Sequence, residues 1–185
     1  MSSRQSFANI WPNSQIWLIS DPRNDAMLET ALKRLPRGSG FIFRHYHLPP
    51  AARRARFDRL ARIARGRGHL VILAGSAKEA RVWGADGAYG SSEQLTRGPA
   101  TLRLVTVHSL HELRQARRAD AALLSPVFPT NSHPGGAVIG AVRFLLLARH
   151  ARCPVIALGG MSPARARQLG APRWAAIDGL IPKDS

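Results

Sequence analysis

The stretch from Ala121 to Gly140 gathers the residues best able to do chemistry. An apolar run, Ala121 to Leu124, reads as a buried strand. It empties into a loop carrying Ser125, Pro126, Pro129, Thr130, Ser132, His133, Pro134, Gly135 and Gly136. Helical spacing resumes in the apolar segment Ala137 to Leu147. Loops of this kind lie beyond the carboxyl ends of parallel strands, where α/β folds bind their ligands. The same prolines and glycines also suit a plain surface connection. His108 closes another apolar run, and an imidazole there can transfer protons or simply bond a neighbouring loop. Gly159 and Gly160 end a third run, and the Gly160 amide, having no Cβ beside it, can approach a phosphate. His45, His47 and His133 lack metal-ligand spacing and come from separate loops, so only folding could gather them.

Eight short apolar runs could position these groups: Ile16 to Ser20, Phe41 to Phe43, Leu70 to Ala74, Gly87 to Tyr89, Leu102 to Val107, Ala121 to Leu124, Val155 to Leu158 and Trp174 to Ile177. Helical patterns separate them. Met27, Leu28, Ala31, Leu32 and Leu35 share one face, and Pro50 opens a helix with the stripe Phe57, Leu60, Ala61 and Ala64. A short helix spans Ala77 to Trp83, and the one after Tyr89 is ill-defined. Ser109 to Glu112 forms a capping box, and Ser162-Pro163 starts a helix ending near Gly170. Strands alternating with helices, without hairpin signals, predict a single-domain closed (β/α)8 TIM barrel over residues 1–185, with 1–14 as an N-terminal extension. An open flavodoxin-like sheet is the alternative. At 185 residues the chain is shorter than the usual barrel of about 250, and too little follows the last strand for a covering helix. That helix is expected to be truncated or missing, its face covered by Ser6 to Trp11 or by a second copy in a homodimer.

Composition narrows the function. Nothing approaches a membrane span or a secretory leader, and the single Cys153 excludes a disulfide framework, so the cytoplasm is the expected compartment. The formal net charge of +16 draws phosphates and acidic surfaces, and keeps a basic nucleic-acid-binding domain in view. Its densest basic group, Arg53, Arg54, Arg56, Arg59, Arg62 and Arg65, falls around one predicted helix without interleaved aromatics and reads as a solvated face.

Several strand ends together resemble one family, thiamine-phosphate synthase with its thiazole-tautomerase relatives, over about Ile16 to Ile181. Thr106-Val107-His108-Ser109 is similar to that family's Ser-Thr-His-Ser motif. Ser125-Pro126-Val127-Phe128-Pro129-Thr130 resembles its Gly-Pro-Val-Phe-Pro-Thr loop, and Pro154 to Met161 its Pro-Val-Ala-Ile-Gly-Gly-Ile strand. The resemblance implies joining of a hydroxymethylpyrimidine diphosphate to a thiazole phosphate, giving thiamine phosphate and pyrophosphate with Mg²⁺. By the same resemblance Arg44, Thr106, His108 and His133 occupy catalytic positions. Ser125, Pro126, Val127, Phe128, Pro129, Thr130, Ser132, Gly159, Gly160, Asp178 and Gly179 line the substrate site.

The two halves of that implied site differ. Thr130, Ser132 and Gly160 keep the thiazole-phosphate half. In the pyrimidine half Arg44 survives, but Ile42 replaces an amide and Tyr46 a lysine, and Ala74-Gly75 stands for an Asn-Asp pair. The second magnesium carboxylate has become Gln94, with Glu93 as a neighbour that could shift to replace it. His133 stands for a lysine, and Asp178, replacing a serine, would set an anion beside the implied phosphate, which is unfavourable unless a cation intervenes. Mg²⁺ needs hard oxygen ligands, so no metal ligand is expected at the aligned positions. The tautomerase histidine position is Pro126. The partners implied are a small phosphorylated thiazole or pyrimidine. Beside the synthase stand a catalytically impaired paralogue or tautomerase-like protein holding a phosphorylated thiazole, and the nucleic-acid alternative.

Overall fold

The computed structural model describes residues 15–131 and 135–182. Eight parallel strands close into one barrel in sequence order. They are β1 (Ile16–Ile19), β2 (Gly40–Phe43), β3 (Leu70–Ala74), β4 (Gly87–Ser91), β5 (Leu102–Val107), β6 (Ala121–Leu124), β7 (Val155–Ala157) and β8 (Trp174–Ala176). β8 returns to β1 through the registers Ile16 to Trp174 and Leu18 to Ala176. The expected strands are all present, with ends moved by a residue or two. Between them run a 3-10 segment (Pro22–Met27), α1 (Leu28–Arg34), α2 (Pro50–Gly66), α3 (Ala77–Val82), α4 (Ser92–Leu95), α5 (Leu110–Gln115), α6 (Ala141–Ala148) and α7 (Pro163–Leu169).

Local chemistry starts these helices where a barrel needs them. Ser76, Ser91, Ser109 and Ser162 each accept a hydrogen bond from the amide three residues on, so four strand-to-helix turns end in a serine cap. The box at Ser109 is modified: Glu112 returns its carboxylate to the His108 amide at 3.0 Å. Gly170, at φ 64, stops α7 in the left-handed conformation that glycine adopts without strain.

Alternation along the strands divides the core in two. Trp17, Ile19, Ile42, Ile72, Leu104, Leu123 and Ile156 fill the barrel interior. Their neighbours Leu18, Phe41, Phe43, Val71, Leu73 and Val105 face outward against Leu28, Leu32, Phe57 and Leu60 of the helices. The two sets occupy opposite faces of each strand, which is what the two-residue side-chain period requires. Trp17 is wholly buried, and its ring takes the space over Gly40, where an added Cβ would stand 2.0 Å from the ring.

Three expectations need correction or narrowing. The helix after β6 begins at Ala141, not Ala137, because Ile139 and Gly140 donate their amides to the carbonyls of Pro126 and Val127 and so belong to the loop. The arginines of α2 are a solvated basic face only in part, at Arg59, Arg62 and Arg65. Arg53 lies on the buried side, Arg56 is mostly covered, and Arg53, Arg54, Arg56 and Arg59 all pair with carboxylates. Among the described residues no helix follows β8, and an open groove of about 360 Å³ lies against Ile16, Ala166, Gly170 and Trp174. Ser6 to Trp11, expected to cover that face, lies outside the described residues. No described helix is long and apolar enough to cross a membrane.

The packing of Trp17 sets a test. Gly40→Ala should lower unfolding stability by about 1–3 kcal/mol, the usual cost of overfilling a tight core. Gly66→Ala, at a helix end with open space around it, should be neutral or stabilising by about 0.5 kcal/mol. Urea denaturation of both variants checks the contrast.

Candidate ligand site at the barrel mouth

The interior alternation continues past the strand ends and selects what stands at the mouth. Two residues beyond Ile19, Ile42, Ile72, Gly87, Leu104, Leu123, Ile156 and Ala175 come Asp21, Arg44, Ala74, Tyr89, Thr106, Ser125, Leu158 and Ile177. Tyr89, Leu158 and Ile177 pack on the interior cluster and make its floor. Burial holds the Tyr89 phenol above its ordinary range, against the opposing pull of Thr106 and Arg44. Arg44 therefore stands with Thr106 at the mouth, as expected of both.

The loops after β6, β7 and β8 form one wall. Val127 donates its amide to Leu158 at 2.9 Å and Phe128 donates to Gly159 at 3.1 Å, so the sheet's pairing runs on beyond the strands. Close backbone approach then dictates the glycines. A Cβ on Gly160 would meet the Pro129 carbonyl at 2.3 Å, and one on Gly179 would meet the Met161 carbonyl at 2.1 Å. Ser125, Pro126, Val127, Phe128, Pro129, Thr130, Gly159, Gly160, Asp178 and Gly179 are thus all on this wall. The peptide between Ser125 and Pro126 is cis. Ser132 and His133 lie outside the described residues.

Charges at this edge were not all visible beforehand. Arg23 reaches Asp21 at 2.8 Å and Asp178 at 3.3 Å, so a cation does intervene beside Asp178. Burial alone would raise the Asp21 carboxyl, but hydrogen bonds from Arg23 and the charges of Arg23 and Arg44 hold it below its ordinary value. Arg165 covers Phe128 with its guanidinium 5.0 Å from the ring centre and donates to the Gly160 carbonyl. His108 donates from Nδ1 to the Ser125 carbonyl at 2.8 Å, which makes it a brace between loops five and six.

On the opposite side the implied metal half is filled by protein. A Cβ on Gly75 would lie 2.3 Å from Glu79 Oε2, so that carboxylate occupies the space a side chain there would take. Glu79 is already held by Arg53 at 2.9 Å, and Arg53 also donates to the carbonyls of Ala74 and Arg44. Arg53 stacks on Tyr46 at 5.3 Å and Trp83 at 5.0 Å. The Gln94 amide likewise lies over Gly90. Glu93 is exposed on α4, and no group of three or more His, Cys, Asp or Glu residues suited to a metal occurs among the described residues. A neutral amide and a carboxylate tied to arginine do not make a magnesium site. The donor set present does not fit that ion.

Beneath Arg44 lies a network the sequence did not disclose. Ser20 bonds His45 Nδ1 at 2.8 Å, and His45 Nε2 bonds Asp25 at 2.6 Å. Asp25 and Glu29 both receive Arg56, and Glu29 also receives Arg59. Burial holds the His45 imidazole below its ordinary value, with Asp25 opposing. Asp25, which burial would raise, is held low by His45 and Arg56, and Glu29 is held low by Arg59 and Arg56.

Comparison with known proteins agrees with the barrel fold. The family model described as thiamine monophosphate synthase matches residues 16–180. Thiamine phosphate pyrophosphorylase from Pyrococcus furiosus superposes with TM-score 0.73 at 22% identity, covering 89% of this chain and 86% of that one. The protein of the same name from Bacteroides thetaiotaomicron gives 0.59 at 15%, covering 88% and 82%. A citrate synthase, SbnG, shares the fold at TM-score 0.60 and 11% identity, covering 96% of this chain and 90% of that one. No curated protein sequence matches the chain.

The network beneath Arg44 makes stability acid-sensitive in two steps. His45 is depressed when folded, so stability is complete above the ordinary imidazole value of 6.5 and declines below it as the unfolded chain takes up a proton. Asp25 and Glu29 are also depressed, so their contribution is present above the ordinary carboxylate range and is lost through acid below about 4. Denaturant midpoints between pH 8 and 3 should show both declines. Arg56→Gln should shrink the lower one most and the upper one only slightly, since burial is the main cause of the His45 depression.

Proposed function

The chain belongs to the thiamine monophosphate synthase family, and from that premise we propose that its barrel mouth binds a phosphorylated thiazole, or the thiamine phosphate built from one. The asymmetry of the mouth carries this reading. The wall after β6, β7 and β8 carries Thr130, the tightly packed backbone of Gly160 and Gly179, and the cations Arg23 and Arg165. Hydroxyls, backbone amides and arginine are the donors a phosphate monoester needs. Across the mouth, the positions to which the family resemblance assigns a diphosphate and its metal hold Glu79, Arg53, Tyr46 and Gln94 instead.

A second reading, the whole synthase reaction, is favoured by Arg44. Its side chain makes no hydrogen bond or ion pair among the described residues, and its charge reaches Asp21, Tyr46 and Tyr89. A cation so placed can stabilise a departing pyrophosphate while the thiazole nitrogen bonds to the pyrimidine's methylene carbon. The nucleic-acid alternative is disfavoured, because four of the six clustered arginines of α2, Arg53, Arg54, Arg56 and Arg59, are held in ion pairs with this chain's own carboxylates.

Calorimetric titration separates these readings. The thiazole monophosphate should bind more tightly than the pyrimidine diphosphate, the reverse of what a basic surface alone would give. Asp178→Ser should tighten the monophosphate by about 1 kcal/mol, about fivefold, by removing an anion and releasing Arg23. Tighter diphosphate binding, or rapid formation of thiamine phosphate when both substrates and Mg²⁺ are supplied, would favour the synthase instead.

A further inference from the structure

We propose that Asp25, His45 and Ser20 form a relay, buried at His45 and Ser20, that fixes the backbone at Arg44, making His45 a positioning residue for the cation at the barrel mouth. It rests on reading Arg44 as a group that meets a ligand's phosphate. The three side chains have the composition of a hydrolase triad, but in the wrong sense and place. Here the serine is on Nδ1 and the carboxylate on Nε2, and Ser20 is 0% exposed, so no substrate can reach its oxygen. The proton pattern gives it another task.

Each hydrogen bond in the chain dictates the next. The Asp25 carboxylate can only accept, so His45 Nε2 carries the proton and donates across 2.6 Å. A neutral imidazole protonated at Nε2 has Nδ1 as an acceptor, and the Ser20 hydroxyl donates to it across 2.8 Å. The Ser20 oxygen then receives the Arg44 amide, also at 2.8 Å. The relay ends on the backbone of the residue whose side chain stands at the mouth. The Ser20 amide meanwhile donates to the Ile42 carbonyl at 2.9 Å, tying the ends of β1 and β2 together a second time.

His45 is held for this purpose. It is the one described residue other than glycine with positive φ, at 41°, a conformation an L-residue keeps only when its surroundings impose it. The residue is 1% exposed, and its ring stacks on Phe43 at 4.8 Å and 19°. The groups facing it are Asp25 from the 3-10 segment, Arg56 from α2, and His47 at 5.0 Å. None of them donates to Nδ1, which leaves that nitrogen to Ser20.

Two amide substitutions dissect the ring. In His45→Asn the carbonyl oxygen stands where Nδ1 was, and asparagine tolerates positive φ. In His45→Gln the amide nitrogen stands where Nε2 was, and the acceptor for Ser20 is lost. Hydrogen exchange at the Arg44 amide, followed by NMR, and calorimetric titration with inorganic pyrophosphate should be read on the full chain. His45→Gln should speed the exchange and weaken pyrophosphate about tenfold, and His45→Asn should restore most of both. His45→Gln added to Arg44→Ala should weaken pyrophosphate no further, since both act through one guanidinium. Should His45→Gln not fold, Ser20→Ala removes the acceptor of the Arg44 amide directly and is expected to behave alike. Unchanged Arg44 exchange in these variants, or full additivity with Arg44→Ala, overturns the relay. If Arg44→Ala binds pyrophosphate as the parent does, it is the ligand-facing role of Arg44 that fails, and exchange at its amide still decides the relay.

Discussion

The two hydrogen bonds that carry the sheet past its strands, from Val127 to Leu158 and from Phe128 to Gly159, govern the shape of the mouth. They pull the loop after β6 down onto the end of β7. The Pro129 carbonyl then falls where a side chain at 160 would be, and the loop after β8 packs as closely against Met161. The glycines here are first a condition of loop contact, and only through it a condition of the proposed ligand binding. Three separate connections become one rigid wall on which a hydroxyl, backbone groups and two arginines are presented together.

The other side of the mouth shows the same economy applied to a different end. Where the family resemblance implies carboxylates for a metal, the chain has Gly75 and Gln94, and the space is not left empty. Glu79 reaches back over Gly75 and is neutralised by Arg53, whose remaining donors satisfy the Ala74 and Arg44 carbonyls. A buried arginine is tolerable only with such partners. Between the two sides runs a row of alternating charge, Arg44, Asp21, Arg23 and Asp178, in which Arg23 offsets the anion at Asp178 beside the proposed phosphate site.

Much of the barrel was legible because its strands are short apolar runs bounded by serine caps and glycines, signals that depend on neighbours in sequence. The wall after β6 was legible by its motif. What was hidden depends on residues far apart: Arg23 finds Asp178 across 155 positions, and Ser20 finds His45 across 25. Arg53 could have been found. It stands four residues before Phe57, so extending the apolar stripe of α2 by one turn places it on the buried face. The start of α6 was misplaced because apolar spacing from Ala137 does not reveal that Ile139 and Gly140 give their amides to the preceding loop. The positive φ at His45 leaves no trace in residue type.

A crystal structure of the chain with a thiazole monophosphate bound tests the central claim most directly. The phosphate is predicted to lie against the joined loops after β6, β7 and β8, within hydrogen-bond distance of the Thr130 hydroxyl or the Gly160 or Gly179 amide. A phosphate seated instead against Arg53, Tyr46 and Glu79, with the wall after β6 and β7 bare, would contradict it.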